Sequence, residues 1–269
     1  MLIWKNTSIL DGFDKGLIFT HLKEEAEIAL VGSKSIDIGE YPNLKGIFRA
    51  GVGKDNIPID EAEKLGVLVR FPSQQTIKII YEETANFTCG LILRMLYNEV
   101  GSLDPWLRYD RVKLSDKVLL VVGKGNIGGR VAAKMRNFMN VITYDVLYDS
   151  PSELKNMISV ADCITLHIPK SKENESFINA EKLSWMKNAS ILINTSRAAV
   201  VDEDDFYNEI KQGRIFSAFD VFWKEPYDGK LKVFHPKNFY MTPHVSSNCD
   251  AFARGCRMDL DNYIVEAFI

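Results

Sequence analysis

The chain has 269 residues, 46% of them hydrophobic and 26% charged, with a net charge of −3. Those values suit one large globular domain or two of moderate size. Mild acidity, with basic residues scattered among acids, argues against nucleic acid or an anionic membrane as partner.

Four cysteines, Cys89, Cys163, Cys249 and Cys256, form no CxxC pair, so no metal site is expected. No run is long and apolar enough to span a bilayer, and Met1-Leu2-Ile3-Trp4-Lys5 reads as a strand rather than a signal peptide. A reducing, cytoplasmic setting follows as the expectation.

Short apolar runs alternate with amphipathic stretches, the pattern of an α/β protein with mainly parallel sheets. The first third predicts strands over 2–5, 27–31, 46–49 and 67–70, a helix over 59–65, and a long helix over 77–97. Gly101, Asp104 and Pro105 then interrupt the periodicity and mark a boundary within 98–115. Strands follow over 117–123, 141–145, 163–167, 191–195, 218–222 and 239–241. Helices fit 127–138, 152–158, 180–186 and 203–212, the last stopped by Gly213. The tail, 250–268, is a helix with Phe252, Cys256, Leu260 and Ile264 on one stripe.

Val118-Leu119-Leu120-Val121-Val122 runs into Gly123-Lys124-Gly125-Asn126-Ile127-Gly128 and then a helical pattern. This is GxGxxG in a strand–turn–helix setting. Gly123 permits the tight turn, Gly125 lets a pyrophosphate approach the backbone, and Gly128 lets helix and strand pack closely. Exposed N–H groups at the helix start, near Asn126 and Ile127, favour phosphate charge. The next strand ends on Asp145, whose carboxylate can accept both ribose hydroxyls and repel a 2′-phosphate. The expected cofactor is therefore NAD rather than NADP.

With these motifs in place, the sequence resembles the D-isomer-specific 2-hydroxyacid dehydrogenases, a family that includes phosphoglycerate dehydrogenase. The resemblance runs from about residue 45 to 244 and rests on five blocks in order. They are Arg49-Ala50-Gly51-Val52-Gly53-Lys54-Asp55-Asn56, the 123–128 turn, Ile191-Leu192-Ile193-Asn194-Thr195-Ser196-Arg197, Asp220-Val221-Phe222 followed by Glu225-Pro226, and Thr242-Pro243-His244. The stretch from Ala161 to Pro169, with His167, also resembles the family's strand and loop beside the cofactor.

The resemblance implies an oxidoreductase moving a hydride between NAD(H) and a small D-2-hydroxy or 2-oxo acid, phosphoglycerate-, glycerate- or glyoxylate-like. It implies two Rossmann-like α/β domains with a cleft between them. A flavodoxin-like substrate domain (1–97 and 246–269) would carry an inserted NAD-binding domain (98–245), and the protein would be a homodimer. An NAD-sensing binding protein, like corepressors on the same fold, is the alternative.

Reducing a 2-oxo acid needs a proton for the carbonyl oxygen and a cation for the carboxylate. Histidine is the residue type suited to proton transfer near neutral pH, which points to His244; Glu225 can hold its other ring nitrogen, and Arg197 offers a planar fork to a carboxylate. Each also has a plainer reading: a structural histidine, a loop charge, and an arginine paired with an acid such as Asp202. Asp220 matches the family's acceptor for the nicotinamide amide, with Thr195 beside it, or is only a strand-end acid. Arg49, Ala50, Gly51, Val52 and Gly53 match the substrate loop, whose N–H groups can form an anion nest. Arg49 would add charge for a phosphate, which makes phosphoglycerate-like substrates the first expectation, or serve as scaffold, and Asn56 would steady the loop.

The sequence departs from the family at Ala198, where glycine is usual, in a short 97–116 interval that normally helps form the dimer, and in a short loop at 146–152. No regulatory domain is expected after Ile269.

Overall fold

The computed structural model describes residues 1–268, which divide into two compact units. One unit comprises Met1–Glu83 and Ser247–Ile269, the other Thr84–Ser246. The first boundary lies inside a helix, earlier than the break in periodicity at 98–115 suggested.

The first unit is built on β1 (Leu2–Lys5), β2 (Ile18–Phe19), β3 (Ile28–Val31), β4 (Gly46–Arg49) and β5 (Leu68–Arg70), with α1 (Ile59–Lys64) before β5. The strands are all parallel in the order β2-β1-β3-β4-β5, a flavodoxin-like arrangement. Side chains alternate across the sheet. Ile28, Leu30 and Phe48 fill one core, and Ala29, Val31 and Ile47 fill the other. The start of α2 (Gln74–Leu96) contributes Ile80 to the first of these cores.

The second unit contains a two-stranded antiparallel ribbon, β6 (Gly101–Leu103) and β7 (Trp106–Arg108). Its main sheet comprises β8 (Val118–Val122), β9 (Asn140–Tyr144), β10 (Cys163–Leu166), β11 (Ile191–Asn194), β12 (Phe216–Phe219) and β13 (Phe239–Met241). These strands are parallel in the order β13-β12-β11-β10-β8-β9, so the winding reverses between β8 and β10. The helices are α3 (Gly128–Met135), α4 (Pro151–Val160), α5 (Ala180–Ser184) and α6 (Glu203–Lys211). Leu120, Ile164, Leu192 and Phe219 pack on Leu154 and Ile158 of α4 and Phe206 and Ile210 of α6. On the opposite face Leu119, Val121, Cys163 and Ile193 meet Leu91, Ile92 and Met95 of α2 and Val131 and Met135 of α3.

The chain then returns to the first unit as α7 (Asp250–Phe268). Its stripe of Phe252, Cys256 and Leu260 is buried as the four-residue spacing predicts. Tyr263 takes the fourth place and Ile264 is only partly buried, because a 3.6-residue turn drifts from a strict repeat of four. The Tyr263 hydroxyl donates to Leu68 O at 2.6 Å, where a side chain at Gly46 would collide with it.

The predicted elements recur with shifted ends. The helix expected over 127–138 stops at Met135, and the strand expected over 218–222 is Phe216–Phe219, cut off where Asp220 turns the chain. β2 and the β6–β7 ribbon had no periodic signal. Among the described residues no helix is long and apolar enough to cross a membrane, no cluster could hold a metal ion, and all four cysteines are unpaired.

Candidate active site

In a parallel sheet every strand delivers its following residue to the same edge. In the second unit the residues that follow β8, β9, β10, β11, β12 and β13 are Gly123, Asp145, His167, Thr195, Asp220 and Thr242. That edge, at the point where the winding reverses, is where open α/β sheets bind ligands.

Gly123 has φ +96°, and a Cβ there would lie 2.5 Å from His167 O. A Cβ on Gly128 would lie 2.0 Å from Gly123 O. Gly125 differs: nothing comes within 4 Å of the Cβ it lacks. Its open face, next to the N-terminus of the eight-residue α3, is a cradle suited to a pyrophosphate. Gly125→Ala is therefore expected to leave the melting temperature of the free protein near wild type while weakening NADH binding at least tenfold, by fluorescence titration. Gly128→Ala is expected to lose about 1–3 kcal/mol of stability as well.

Asp145 is fastened to this turn. Its Oδ2 accepts from Lys124 N at 2.8 Å and its Oδ1 from Leu147 N at 3.1 Å. Its own N–H donates to Asp149 Oδ2 at 2.7 Å, and Lys124 Nζ lies 3.1 Å from that oxygen. These two bonds hold the Asp149 carboxyl below the usual carboxylate range. A carboxylate offers about four acceptor positions, so Asp145 retains capacity for ribose hydroxyls.

His167 Nε2 is 3.0 Å from Thr165 Oγ1, and burial pushes its pKa down to about 3, so the ring is neutral. Pro169 O accepts from Asn174 Nδ2.

His244 and Glu225 meet. Nδ1 of His244 lies 3.0 and 2.9 Å from the two Glu225 oxygens, and both side chains are about one-quarter exposed. Burial alone would raise the Glu225 pKa, but the His244 hydrogen bond and charge, the Phe222 N–H and the Arg197 charge outweigh it and lower it. Arg197 thus lies close enough to act on Glu225. A carboxyl with a depressed folded pKa adds stability above its unfolded value, near 4.5, and loses it as pH falls through the folded value. The melting-temperature gap between wild type and Glu225→Gln is therefore expected to be widest above about pH 5 and to close in more acid solution.

Two turns hold these groups. Asn194, fully buried, donates from Nδ2 to Arg197 O at 2.9 Å and accepts from Ser196 N and Oγ, which shapes the arginine turn. Arg197 Nη1 donates to Ser196 O at 2.9 Å. Asp202 caps α6 by accepting from Asp204 N and Asp205 N. Ala198 sits buried in a 3-10 turn without positive φ, so the glycine usual in the family is not required here.

Asp220 is wholly buried. It accepts from Thr242 Oγ1 at 2.6 Å and Val245 N at 2.9 Å on Oδ1, and from Ser246 N at 2.8 Å on Oδ2. It clamps both sides of His244, whose φ of +53° is uncommon for a residue other than glycine. Thr195 is buried, 2.8 Å from Thr88 Oγ1.

In the first unit the loop after β4 is held from within. Arg49, 5% exposed, donates to Gly53 O and Asn56 Oδ1 at 3.1 Å and to Ala50 O at 2.6 Å. Asn56 in turn donates to Gly32 O and Lys34 O. Arg49 is therefore placed as the scaffold of the 50–53 loop. Asn194, Thr88 and Thr242 carry no site role in the sequence reading. The polar ends of ILIN and the paired threonines were the available signals.

Residues 100–246 match the family model described as D-isomer specific 2-hydroxyacid dehydrogenase, NAD binding domain. Among curated proteins the chain is 30% identical to a glyoxylate reductase of Thermococcus litoralis, over 87% of this chain and 77% of that protein. It is 33% identical to a D-3-phosphoglycerate dehydrogenase of Methanocaldococcus jannaschii over 79% of this chain, but spans 43% of that longer protein. Among solved structures, D-lactate dehydrogenase from Aquifex aeolicus, complexed with NAD and lactic acid, matches with TM-score 0.79 and 25% identity, over 100% of this chain and 95% of that one. The chain belongs to the D-isomer-specific 2-hydroxyacid dehydrogenase family, and its second unit carries that family's NAD-binding domain.

Proposed function

We propose that this protein is an NAD-dependent dehydrogenase that interconverts a small, unphosphorylated 2-oxo acid, glyoxylate-like in size, and its D-2-hydroxy acid. The observation that carries the reading is the His244–Glu225 pair, with both carboxylate oxygens at Nδ1. This arrangement fixes the proton on Nδ1 and leaves Nε2 as the atom that exchanges one with substrate. Bound nicotinamide supplies or accepts the hydride. Protonated His244 gives its Nε2 proton to the carbonyl oxygen during reduction and takes it back during oxidation, while Glu225 stabilises the imidazolium. Arg197 holds the substrate carboxylate with its guanidinium fork and polarises the carbonyl.

Gly123, Gly125 and Gly128, with Asn126 and Ile127, receive the pyrophosphate, and Asp145 receives the ribose. His167, Pro169 and Thr195 line the cofactor side, with Asp220 beneath. In the first unit Ala50–Gly53 is the proposed substrate loop, with Arg49 as support; Val52 N and Gly53 N are its anion donors, since Ala50 N and Gly51 N donate to Val31 O and Arg49 O. Arg49's engagement inside that loop argues against a phosphorylated substrate. The first unit with α7 is the substrate domain in this reading. No observation favours a corepressor.

The test is loss of reduced-nicotinamide absorbance with glyoxylate, hydroxypyruvate, phosphohydroxypyruvate and 2-oxoglutarate, using NADH and NADPH in turn. Glyoxylate or hydroxypyruvate with NADH is expected to be fastest. A preference for phosphohydroxypyruvate would overturn the substrate assignment, and silence with all four would overturn the activity.

A homodimer in a reducing, cytoplasmic compartment completes the proposal. Four unpaired cysteines support the compartment. Leu103 and Trp106 on the β6–β7 ribbon are 83% and 77% exposed, and an isolated two-stranded ribbon is marginal in water unless covered. Leu103→Ser with Trp106→Ser is expected to halve the mass measured by light scattering. An unchanged mass would place the contact elsewhere.

A further inference from the structure

Glu225 lies on the long connection between β12 and β13, and Arg197 on the separate turn after β11. Long connections are the most mobile parts of a fold, yet Glu225 must hold a fixed place against His244. Two side chains flank it at equal spacing. Two residues before, the Trp223 indole N–H donates to Val201 O at 2.9 Å. Two residues after, the Tyr227 hydroxyl donates to Glu203 Oε1 at 2.8 Å. Both acceptors belong to the segment just past Arg197: Val201 closes the 198–200 turn through its own N–H to Ala198 O, and Glu203 begins α6.

The rings of these anchors are packed as well. Trp223 lies 6.0 Å from Phe219, 6.5 Å from Phe206 and 6.2 Å from Tyr227, and Tyr227 stacks on Phe222 at 5.0 Å. Between the anchors, Phe222 N donates to Glu225 Oε1 at 3.1 Å. The bonds therefore run without a break from the arginine turn through Val201, Trp223 and Phe222 to Glu225 and His244.

We infer that Trp223 and Tyr227 are positioning residues that lock the glutamate loop to the arginine turn, so that Glu225 stays on Nδ1 of His244 in register with Arg197. The inference rests on the proposed roles of those three residues. An indole buries its ring and satisfies its single donor at the same time, so phenylalanine can replace the packing but not the tether. The tyrosine anchor is worth less alone, since Glu203 is a flexible side chain, whereas Val201 O is main chain.

The test compares Trp223→Phe, Glu225→Gln and the double variant. Trp223→Phe is expected to fold, to keep its KM for NADH, and to lower kcat about 10- to 100-fold, the scale of a misplaced catalytic group. In the Glu225→Gln background the same change is expected to cost less than about 2-fold, because the group it positions is already lost. Equal losses in both backgrounds, or a normal kcat in Trp223→Phe, would overturn the inference while leaving the dehydrogenase reading intact if wild type and Glu225→Gln differ. A readout independent of turnover is the Nδ1 proton of His244 in protein labelled with nitrogen-15 histidine. Slow exchange in wild type and fast exchange in Trp223→Phe is the expected pair, and an unchanged resonance would overturn the tether.

Discussion

Replacing His244 with alanine is expected to lower kcat by about 10³- to 10⁴-fold while NADH binds as before. At about 1.36 kcal/mol per factor of ten, that is about 4–5 kcal/mol of transition-state stabilisation. The size follows from the geometry: one imidazole both moves the proton and shares its developing charge with Glu225, 2.9 Å away. His244 stands at φ +53°, so alanine could also disturb the backbone. The His244→Asn variant carries less strain at this position, because asparagine tolerates the left-handed region. It should therefore lose as much turnover as His244→Ala if the loss is chemical. Steady-state rates with NADH titration decide it, and near-normal turnover in either variant sinks the assignment.

The second large effect is at Asp220. Alanine there would leave Val245 N, Ser246 N and the Thr242 hydroxyl without their acceptor in a wholly buried place. Each orphaned donor costs about 1–3 kcal/mol. With some relaxation the total is expected to be about 3–5 kcal/mol, or about 10 °C in melting temperature at this chain length. Turnover should fall with it, since the clamp fixes the backbone around His244. Asp220→Asn, with one acceptor oxygen, should lose about half as much. If Asp220 served chiefly the nicotinamide amide, the free protein would melt normally and only NADH affinity would suffer. Calorimetry of the free variants separates the two roles.

The layout of the fold was legible because alternating apolar runs and helical stripes obey strong periodicities. Strand ends were less so, and four of the overruns have one cause. The strands expected over 117–123, 141–145, 163–167 and 191–195 each overran by one residue: Gly123, Asp145, His167 and Thr195. Those are the residues that leave the strand to serve the edge of the sheet. Gly123 N and His167 N still bond to the neighbouring strands at Tyr144 O and Val122 O, so the pairing runs one donor past the last strand residue. The pairing of His244 with Glu225 was readable from residue types and family spacing. The supports were not: Asn194, Thr242 and Trp223 act through bonds to main-chain atoms or to a buried carboxylate far away in sequence. Arg49 shows the converse, a charged residue in a recognisable loop whose guanidinium faces inward to its own turn.

The return of the chain to its first unit has a consequence for how the molecule is made. Phe252, Cys256, Leu260 and Tyr263 of α7 complete a core begun by Ile3, Ile28 and Phe48. During vectorial synthesis the ribosome delivers all of the 84–246 unit before it delivers that helix, so the first unit must wait for its last element with one core only partly covered, by Leu10 and by Ile80 of α2. Such distant closure is slow compared with local contacts. A released chain that stops after Ser246 should hold a protease-resistant second unit and a digestible first one.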